Sequence, residues 1–368
     1  MAELTTTQMW DLAIDAALVL GFGFQHSIIA MIRLKKIIQK LTGLDSVSWR
    51  GVQSLINITY VIVAVILWRD VDLVVWSLSG PAYWAVGSIL VLGWLWYLQI
   101  HLFEYDVGMA FGSSAVISRV MKQNPPRLEM WKVGTRRWLR FPVHTAFFPM
   151  FFAFPVMSAS TLTMAIAGTI SNIYGTILYD KRLERLIGDP YREYQARTGL
   201  FFFPFLRNPA GAKDMKLPAP QHWARLSRNL PGIVLGLLAG LVYWNVLGDM
   251  PRTTGMILTA WGCSFGVALV SGLVIGLLTS TGNDMPDDYG ALLTHLSTNT
   301  ALVSAVGLTT WWGICLASTQ SMPFLFIALP MWITVLWVGH AVSFASLHAM
   351  RPAQVRARFA PVEPGTSA

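Results

Sequence analysis

Residues 143–178 are 36 consecutive positions without an Asp, Glu, Lys or Arg. As one helix at about 1.5 Å per residue they would reach roughly 54 Å, well beyond the ~30 Å hydrocarbon core of a bilayer. Such a stretch is expected to fold back on itself inside a membrane, with Pro155 followed by Ser158, Ala159 and Ser160 as the turn. Its two arms, 143–157 and 159–179, are accompanied by apolar runs at 12–32, 52–68, 81–101, 230–247, 256–279, 299–317 and 323–347. The expected fold class is therefore an all-α polytopic membrane protein with about nine transmembrane helices.

Composition points the same way. The chain of 368 residues is 54% apolar and only 12% charged, against about 25% charged in soluble domains. Two cysteines cannot staple a chain of this length, which excludes a disulfide scaffold. The net charge of +8 would suit nucleic acid, but its distribution argues for lipid headgroups as the partner, and no nucleic acid. Of the 27 Lys and Arg, 25 lie in 33–51, 102–140, 180–228 and the tail from 348. Nine spans with the N-terminus outside place these four segments, and the C-terminus, on one side, the cytoplasmic one. The loop 280–298 has no basic residue and carries Asp284, Asp287 and Asp288. Acidic residues weigh little in that rule. The start MAELTTTQMWDLAID is acidic, and no small-residue cleavage site follows, so the first run is read as a span of an inner-membrane protein and not as a signal peptide.

The segment 205–229 is rich in Pro, Gly and basic residues and has no apolar run. The expected organisation is a five-span domain over 1–207, a cytoplasmic linker over 208–229, a four-span domain over 230–350 and a cytoplasmic tail over 351–368. The last four spans carry Gly232-x-x-x-Gly236-x-x-x-Gly240 and Gly272-x-x-x-Gly276. Small residues at this spacing let helices approach closely. They serve packing within the bundle or a partner face in a larger membrane complex, and the spacing does not choose. Cys263 and Cys315 lie in apolar spans without metal-ligand spacing and are read as small hydrophobes.

The stretch 136–204 has an ordered pattern. RRWLRFPVHTAFF leads into the apolar hairpin, and LYDKRLERLIGDPYREYQARTGLFFFP follows it. This order resembles the C-terminal core of integral-membrane methyltransferases that use S-adenosylmethionine, a group that includes isoprenylcysteine carboxyl, phospholipid and methanethiol S-methyltransferases. GFGFQHSIIA in the first span and WYLQIHLFEYDVG after the third resemble the His-Ser and His-Phe segments of the methanethiol enzymes and of the related NnrU family. The resemblance covers about residues 10–207.

It implies S-adenosylmethionine as cofactor and a thiol, carboxylate or other small apolar group as acceptor. Gly188, Asp189, Tyr191, Tyr194 and Pro204 match the pattern. Two positions depart from it. Phe141 stands where the pattern has a histidine, between Arg140 and Pro142, and phenylalanine cannot hydrogen-bond. Asp180 and Lys181 stand where the pattern has a pair of glutamates. His144, one turn after Phe141, and Glu184, four residues after Asp180, are the side chains placed to compensate. The expected cofactor-binding set is thus Arg140, His144, Asp180, Glu184, Tyr191 and Tyr194.

Histidines inside or at the edge of spans are uncommon and often functional. His26 and His101 sit at comparable depth; two histidines from different helices can bind haem or a metal, and the resemblance includes haem proteins among the relatives of NnrU. Each can equally hydrogen-bond a neighbouring carbonyl or serine, and His340 in the last span has the same standing. Three readings follow: a membrane methyltransferase with an altered cofactor motif, a non-catalytic accessory or assembly subunit built on that scaffold, and a haem-binding protein.

Overall fold

The computed structural model describes residues 4–43, 48–105, 107–123, 134–202, 211, 229–247, 254–281, 286, 288–317, 325–353 and 355. Pro204, Asp284, Asp287, the tail beyond 355 and the expected linker, apart from Gly211 and Asn229, lie outside the described residues. So does the side chain of Cys315.

The elements are helical almost throughout. In order they are α1 (Thr6–Ile29), α2 (Ile32–Thr42), α3 (Ser48–Leu67), strand β1 (Val74–Ser77), α4 (Gly80–Gln99) with a π turn over Ile100–Glu104, α5 (Val107–Phe111) and α6 (Ser113–Val120). A 3-10 turn over Gly134–Arg137 leads to α7 (Pro142–Phe152), strand β2 (Val156–Ser158), α8 (Ala159–Ile187) and α9 (Asp189–Arg197). The chain ends with α10 (Leu230–Leu247), α11 (Thr254–Thr281), α12 (Tyr289–Ala317) and α13 (Leu325–Met350). Among the described residues, eight helices are long and apolar enough to cross a membrane: α1, α3, α4, α8 and α10 to α13. The protein is an all-α polytopic membrane protein.

The structure divides into two compact units that interleave along the sequence. The first comprises Met1–Lys35, Leu67–Tyr105 and Met130–Pro220, the second Lys36–Ile66, Asp106–Glu129 and Gln221–Ala368. The partition thus groups α3, α5 and α6 with the four C-terminal helices, whereas sequence composition divides the chain near residue 207.

In the first unit α1 packs on α8, α4 on α7, and α7 on α8. A capping box starts α1: the Thr5 hydroxyl accepts from Gln8 N–H at 3.2 Å, and the Gln8 side chain accepts from Thr5 N–H at 2.9 Å. The expected span at 143–157 is the one that departs from the eight. Its helix, α7, has 11 residues, which cover only about 16 Å. The chain then continues extended into β2, which pairs antiparallel with β1. The Leu78 amide donates to Pro155 O at 2.9 Å and the Trp76 indole to Phe154 O at 3.0 Å. Arg140, just before α7, pairs with Asp180 on α8. The 22 residues of α8 from Ala159 to Asp180 extend roughly 32 Å. So α7 and the extended 153–158 segment together run the thickness of a bilayer beside α8. The hairpin expected from length forms with a short helix and a strand as its first arm.

A buried carboxylate on α1 fixes the strand end of this unit. Asp15 is fully buried. It accepts from Arg69 N–H at 2.8 Å and from the Ser160 hydroxyl at 3.1 Å, and Ser160 in turn accepts from Val71 N–H at 2.8 Å.

In the second unit α10 packs on α12 and α11 on α13. The glycine repeats lie at these contacts. A Cβ on Gly232 would meet Asn299 O at 2.6 Å, and one on Gly236 would meet the Val306 side chain at 2.6 Å. One on Gly272 would meet Gly339 O at 2.7 Å. α12 starts at Tyr289, ten residues before the expected 299, because its polar stretch is buried and most of its side chains find partners, the Thr298 hydroxyl excepted. Ser297, Thr298, Asn299 and Thr300 are all buried. The hydroxyls of Ser297 and Thr300 return to Thr294 O and Leu296 O, each at 3.1 Å, and Asn299 accepts from Gly232 N–H at 3.2 Å. His340 is buried as well, with Nδ1 2.9 Å from the Ser113 hydroxyl.

A methyl group at Gly236 has no room, whereas one at Gly266 meets nothing within 4 Å. Gly236→Ala is expected to lower the thermal midpoint in detergent, because overpacking costs about 1–3 kcal/mol against a helix-propensity gain of at most ~1 kcal/mol. Gly266→Ala is expected to raise it slightly. Equal midpoints for the two variants would show that the α10–α12 contact is loose.

Candidate functional site

The patterned segment forms one latch at the end of α8 in the first unit. Gly188 terminates α8 with φ of +74°, a left-handed conformation that glycine adopts without strain, and this turns the chain into α9. Tyr191 and Tyr194 are three residues apart and share a face of α9, and both are buried with 1% exposure. The Tyr191 hydroxyl donates to Asp180 Oδ1 at 2.7 Å, and the Tyr194 hydroxyl donates to Arg136 O at 2.7 Å. Burial pushes the Tyr194 phenol up to about 12. Burial, and next its bond to Asp180, raise Tyr191 as well. Both phenols therefore stay protonated and act as donors.

Arg140 is held from several sides. Its main-chain N–H donates to Gly199 O at 2.9 Å, and Gly199 N–H donates to Trp138 O at 2.7 Å. Its guanidinium donates to Asp180 Oδ1 at 3.0 Å, to Gln195 O at 3.0 Å and to Thr198 O. Asp180 completes its set by accepting from Gln195 Nε2 at 3.0 Å. With side-chain exposures of 11% and 14%, Arg140 and Asp180 form a largely buried ion pair whose carboxylate has three donors.

The other expected residues lie around this latch. Phe141 is buried between the rings of His144, at 5.6 Å, and Tyr179, at 5.4 Å. Lys181 is exposed, so its charge is directed to solvent. Glu184 is part of a surface network with Arg192, at 3.2 Å, which also reaches Asp189 at 2.6 Å. The structure thus brings Arg140, Asp180 and Tyr191 together, holds Tyr194 one contact away through Arg136 O, and sets Glu184 outside. His144 is one helical turn deeper along α7, and its partner Thr176 is one turn deeper along α8 than Asp180. His144 Nδ1 lies 2.6 Å from Thr176 Oγ1, and Asn172 Nδ2 donates to His144 O at 2.8 Å.

His101 is buried at the end of α4, with Nδ1 donating to Tyr97 O at 3.0 Å. Its ring lies 4.2 Å from that of Tyr97 and 5.7 Å from that of Tyr105. His26 is exposed on α1 and stacks on Phe22 at 5.9 Å. His144 interacts electrostatically with both His101 and His26. Among the described residues, no group of three or more His, Cys, Asp or Glu is placed to hold a metal ion.

Several residues here carry no sequence signal. Glu104 is buried and accepts from Thr135 N–H at 2.9 Å and from Gln99 Nε2 at 3.0 Å. The Arg136 guanidinium lies 4.5 Å over the Tyr105 ring, and its Nε is buried with no hydrogen-bond partner. Gln195, Asn172 and Thr176 look like ordinary polar helix residues until their partners are known.

Comparison with known proteins gives a consistent set of relatives. The methanethiol S-methyltransferase of Pseudomonas deceptionensis is 28% identical over 208 residues, 56% of this chain and 78% of that protein. Methanethiol S-methyltransferase 1 of Bradyrhizobium diazoefficiens is 27% identical over 195 residues, 51% of this chain and 65% of its own length. The Mycobacterium tuberculosis methanethiol S-methyltransferase is 27% identical over 138 residues, 36% of this chain and 54% of its own. No family profile matches the chain, and no solved structure matches it. Over about half its length the chain resembles membrane methyltransferases. Haem finds no support in these comparisons.

Asp180→Ala leaves the Arg140 charge without its counter-ion and two further donors without their acceptor. Breaking a buried pair from one side costs about 3–5 kcal/mol, so a clear drop in thermal midpoint and protease cleavage within 188–197 are expected. Glu184→Ala removes only a surface pair, worth under about 1 kcal/mol. Equal stability of the two variants would mean that the buried latch does not hold α9.

Proposed function

We propose that this protein is an integral-membrane methyltransferase that uses S-adenosylmethionine and methylates a small thiol of the methanethiol kind. The observation that carries this reading is the pairing of the methanethiol S-methyltransferase relatives with an intact, buried Arg140–Asp180–Tyr191 latch. When bound, S-adenosylmethionine supplies an electrophilic methyl group on a sulfonium.

The residues present fit such a group. The unpartnered buried Nε of Arg136 is a donor suited to the cofactor's carboxylate. The Asp180 carboxylate is suited to its ammonium end, and the Phe141 and Tyr179 rings offer apolar and aromatic faces to the remainder. Lys181, being exposed, does not place a like charge in this group of residues. Tight, water-poor surroundings favour a reaction in which charge is neutralised, because a nucleophile there is not shielded by solvent.

The rival reading is a non-catalytic subunit on the same scaffold, and Phe141 in place of the family's histidine is the observation that favours it. One experiment separates the two. Purified protein in mild detergent, supplied with S-adenosylmethionine and methanethiol, is expected to release dimethyl sulfide, measured by gas chromatography. It is also expected to bind S-adenosylhomocysteine by calorimetry. Neither binding nor product would overturn the enzyme reading in favour of the subunit.

We place the chain in the inner membrane with its basic segments in the cytoplasm, on the positive-inside argument. Single cysteines at Lys36 and Lys122 are expected to react with a membrane-impermeant reagent only after the membrane is opened. Labelling of either in intact cells overturns this orientation.

A further inference from the structure

We propose that His144 is the general base of this reaction, its Nε2 taking the proton of the thiol acceptor. The assignment rests on the methyltransferase reading above, and it starts from counting protons around Thr176. That hydroxyl has one hydrogen. Its Oγ1 lies 2.6 Å from Asn172 O, a carbonyl that can only accept. The hydroxyl hydrogen is therefore directed to Asn172, and Oγ1 is left as an acceptor for its other neighbour. That neighbour is His144 Nδ1 at 2.6 Å, which must carry the hydrogen of this contact. A neutral imidazole protonated at Nδ1 has its lone pair on Nε2. The ring contacts Thr176 through Nδ1 and is influenced by the Asn172 side chain, and neither interaction is assigned to Nε2.

The same turn of α8 also holds the backbone of His144. Asn172 Nδ2 donates to His144 O at 2.8 Å, so residues 172 and 176 fix both the main chain and the ring. This is the geometry of an oriented base, a ring whose second nitrogen is held by a fixed acceptor. The flanking groups suit a small apolar acceptor. Phe141 and Phe147 stand roughly perpendicular to the ring, with centroids at 5.6 and 6.3 Å, and Tyr97 packs on Phe147 at 5.4 Å. The titratable groups that reach it from neighbouring helices are His101, at the end of α4, and His26 on α1. His101 donates its Nδ1 hydrogen to Tyr97 O, so that nitrogen is occupied and its ring is held in place.

The step balances within these groups. The S–H bond breaks, its electron pair stays on sulfur, and the proton forms the second N–H bond of the imidazole. The thiolate pair then forms the S–CH3 bond, and the pair of the old C–S bond leaves with the departing neutral thioether. The imidazolium returns its proton to water, and its Nδ1–H remains bonded to Thr176 throughout.

The variant that tests this is His144→Asn, whose amide nitrogen can take the place of Nδ1 toward Thr176 but offers no base. Turnover of methanethiol is expected to fall by about 10²–10⁴-fold, the usual contribution of a positioned base, with S-adenosylhomocysteine affinity unchanged by calorimetry. With hydrosulfide, largely ionised at the assay pH, most of that loss is expected to disappear, because an ionised acceptor needs no base. Histidine ¹⁵N spectra of the wild type, with His144→Asn as the assignment control, are expected to show His144 as the Nδ1–H tautomer. If His144→Asn fails to fold, Thr176→Val keeps the base and frees the ring, and its smaller loss must show the same acceptor dependence. Full methanethiol turnover by His144→Asn, or an equal loss with both acceptors, overturns the assignment while leaving the enzyme reading intact. A wild type inactive on both acceptors overturns the enzyme reading, and this assignment with it.

Discussion

A carboxylate taken almost out of water needs donors on every side, and Asp180 finds three of them on two other segments of the chain. Arg140 comes from the entrance of α7, and Tyr191 and Gln195 come from α9. Isolated burial of such a charge would cost far more than the fold can bear. The four groups therefore hold one another, and with them the turn at Gly188, the 198–201 segment beside Arg140 and the register of α7 on α8. That register sets everything deeper in the hairpin. With Arg140 fixed against Asp180, His144 one turn along α7 meets Thr176 one turn back along α8. Placing the ion pair places the histidine.

Much of this architecture was legible from length and polarity alone. The apolar runs marked α3, α4, α10, α11 and α13 within four residues, and α1 and α8 with ends six and eight residues off, because lipid leaves a spanning backbone no alternative to helix. The hairpin followed from 36 uncharged residues, although its first arm was expected as a full helix. α7 stops after Phe152 because the strand pairing with 74–77 uses the backbone groups that a longer helix would need. The start of α12 was missed for another reason. Thr294, Ser297 and Thr300 look like loop residues, yet their hydroxyls bond to carbonyls of their own helix or are covered by neighbours, so the segment buries as if apolar. α2 was missed because IRLKKIIQKLT was weighed for charge and not for period.

The candidate site was legible unevenly. Tyr191 and Tyr194 at a spacing of three, after Gly188, could be placed on one helix face from sequence. Arg140 and Asp180 were linked only through resemblance to a family. Thr176, Asn172 and Gln195 carry no pattern, since their roles depend on partners 15 to 32 residues away in sequence. In the second unit the glycines were readable as close-contact residues, but their spacing did not say with which surface. The structure shows α10 and α11 meeting α12 and α13 there, which is how helices associate when lipid tails are as apolar as leucine and only close packing and interhelical hydrogen bonds distinguish protein from lipid.

Phe141 bears on function in a way the bare pattern obscures. Read as a string, Arg-Phe-Pro in place of the Arg-His-Pro of the methyltransferase pattern is a lost hydrogen-bonding side chain. In the structure the residues on either side do architectural work. Arg140 ties α7 to α8 and α9, Pro142 starts α7 with a preset φ, and the tyrosines lock α9. Phe141 fills a buried position between His144 and Tyr179, where a ring of similar size keeps the packing intact. An imidazole is still present on that face, displaced by one turn, and it is held by two residues of α8 that no motif names. A substitution inside a motif removes a function only if the motif position performs it. Here the position of the pattern's histidine supplies shape through Phe141, and the imidazole on α7 is that of His144, one turn further on.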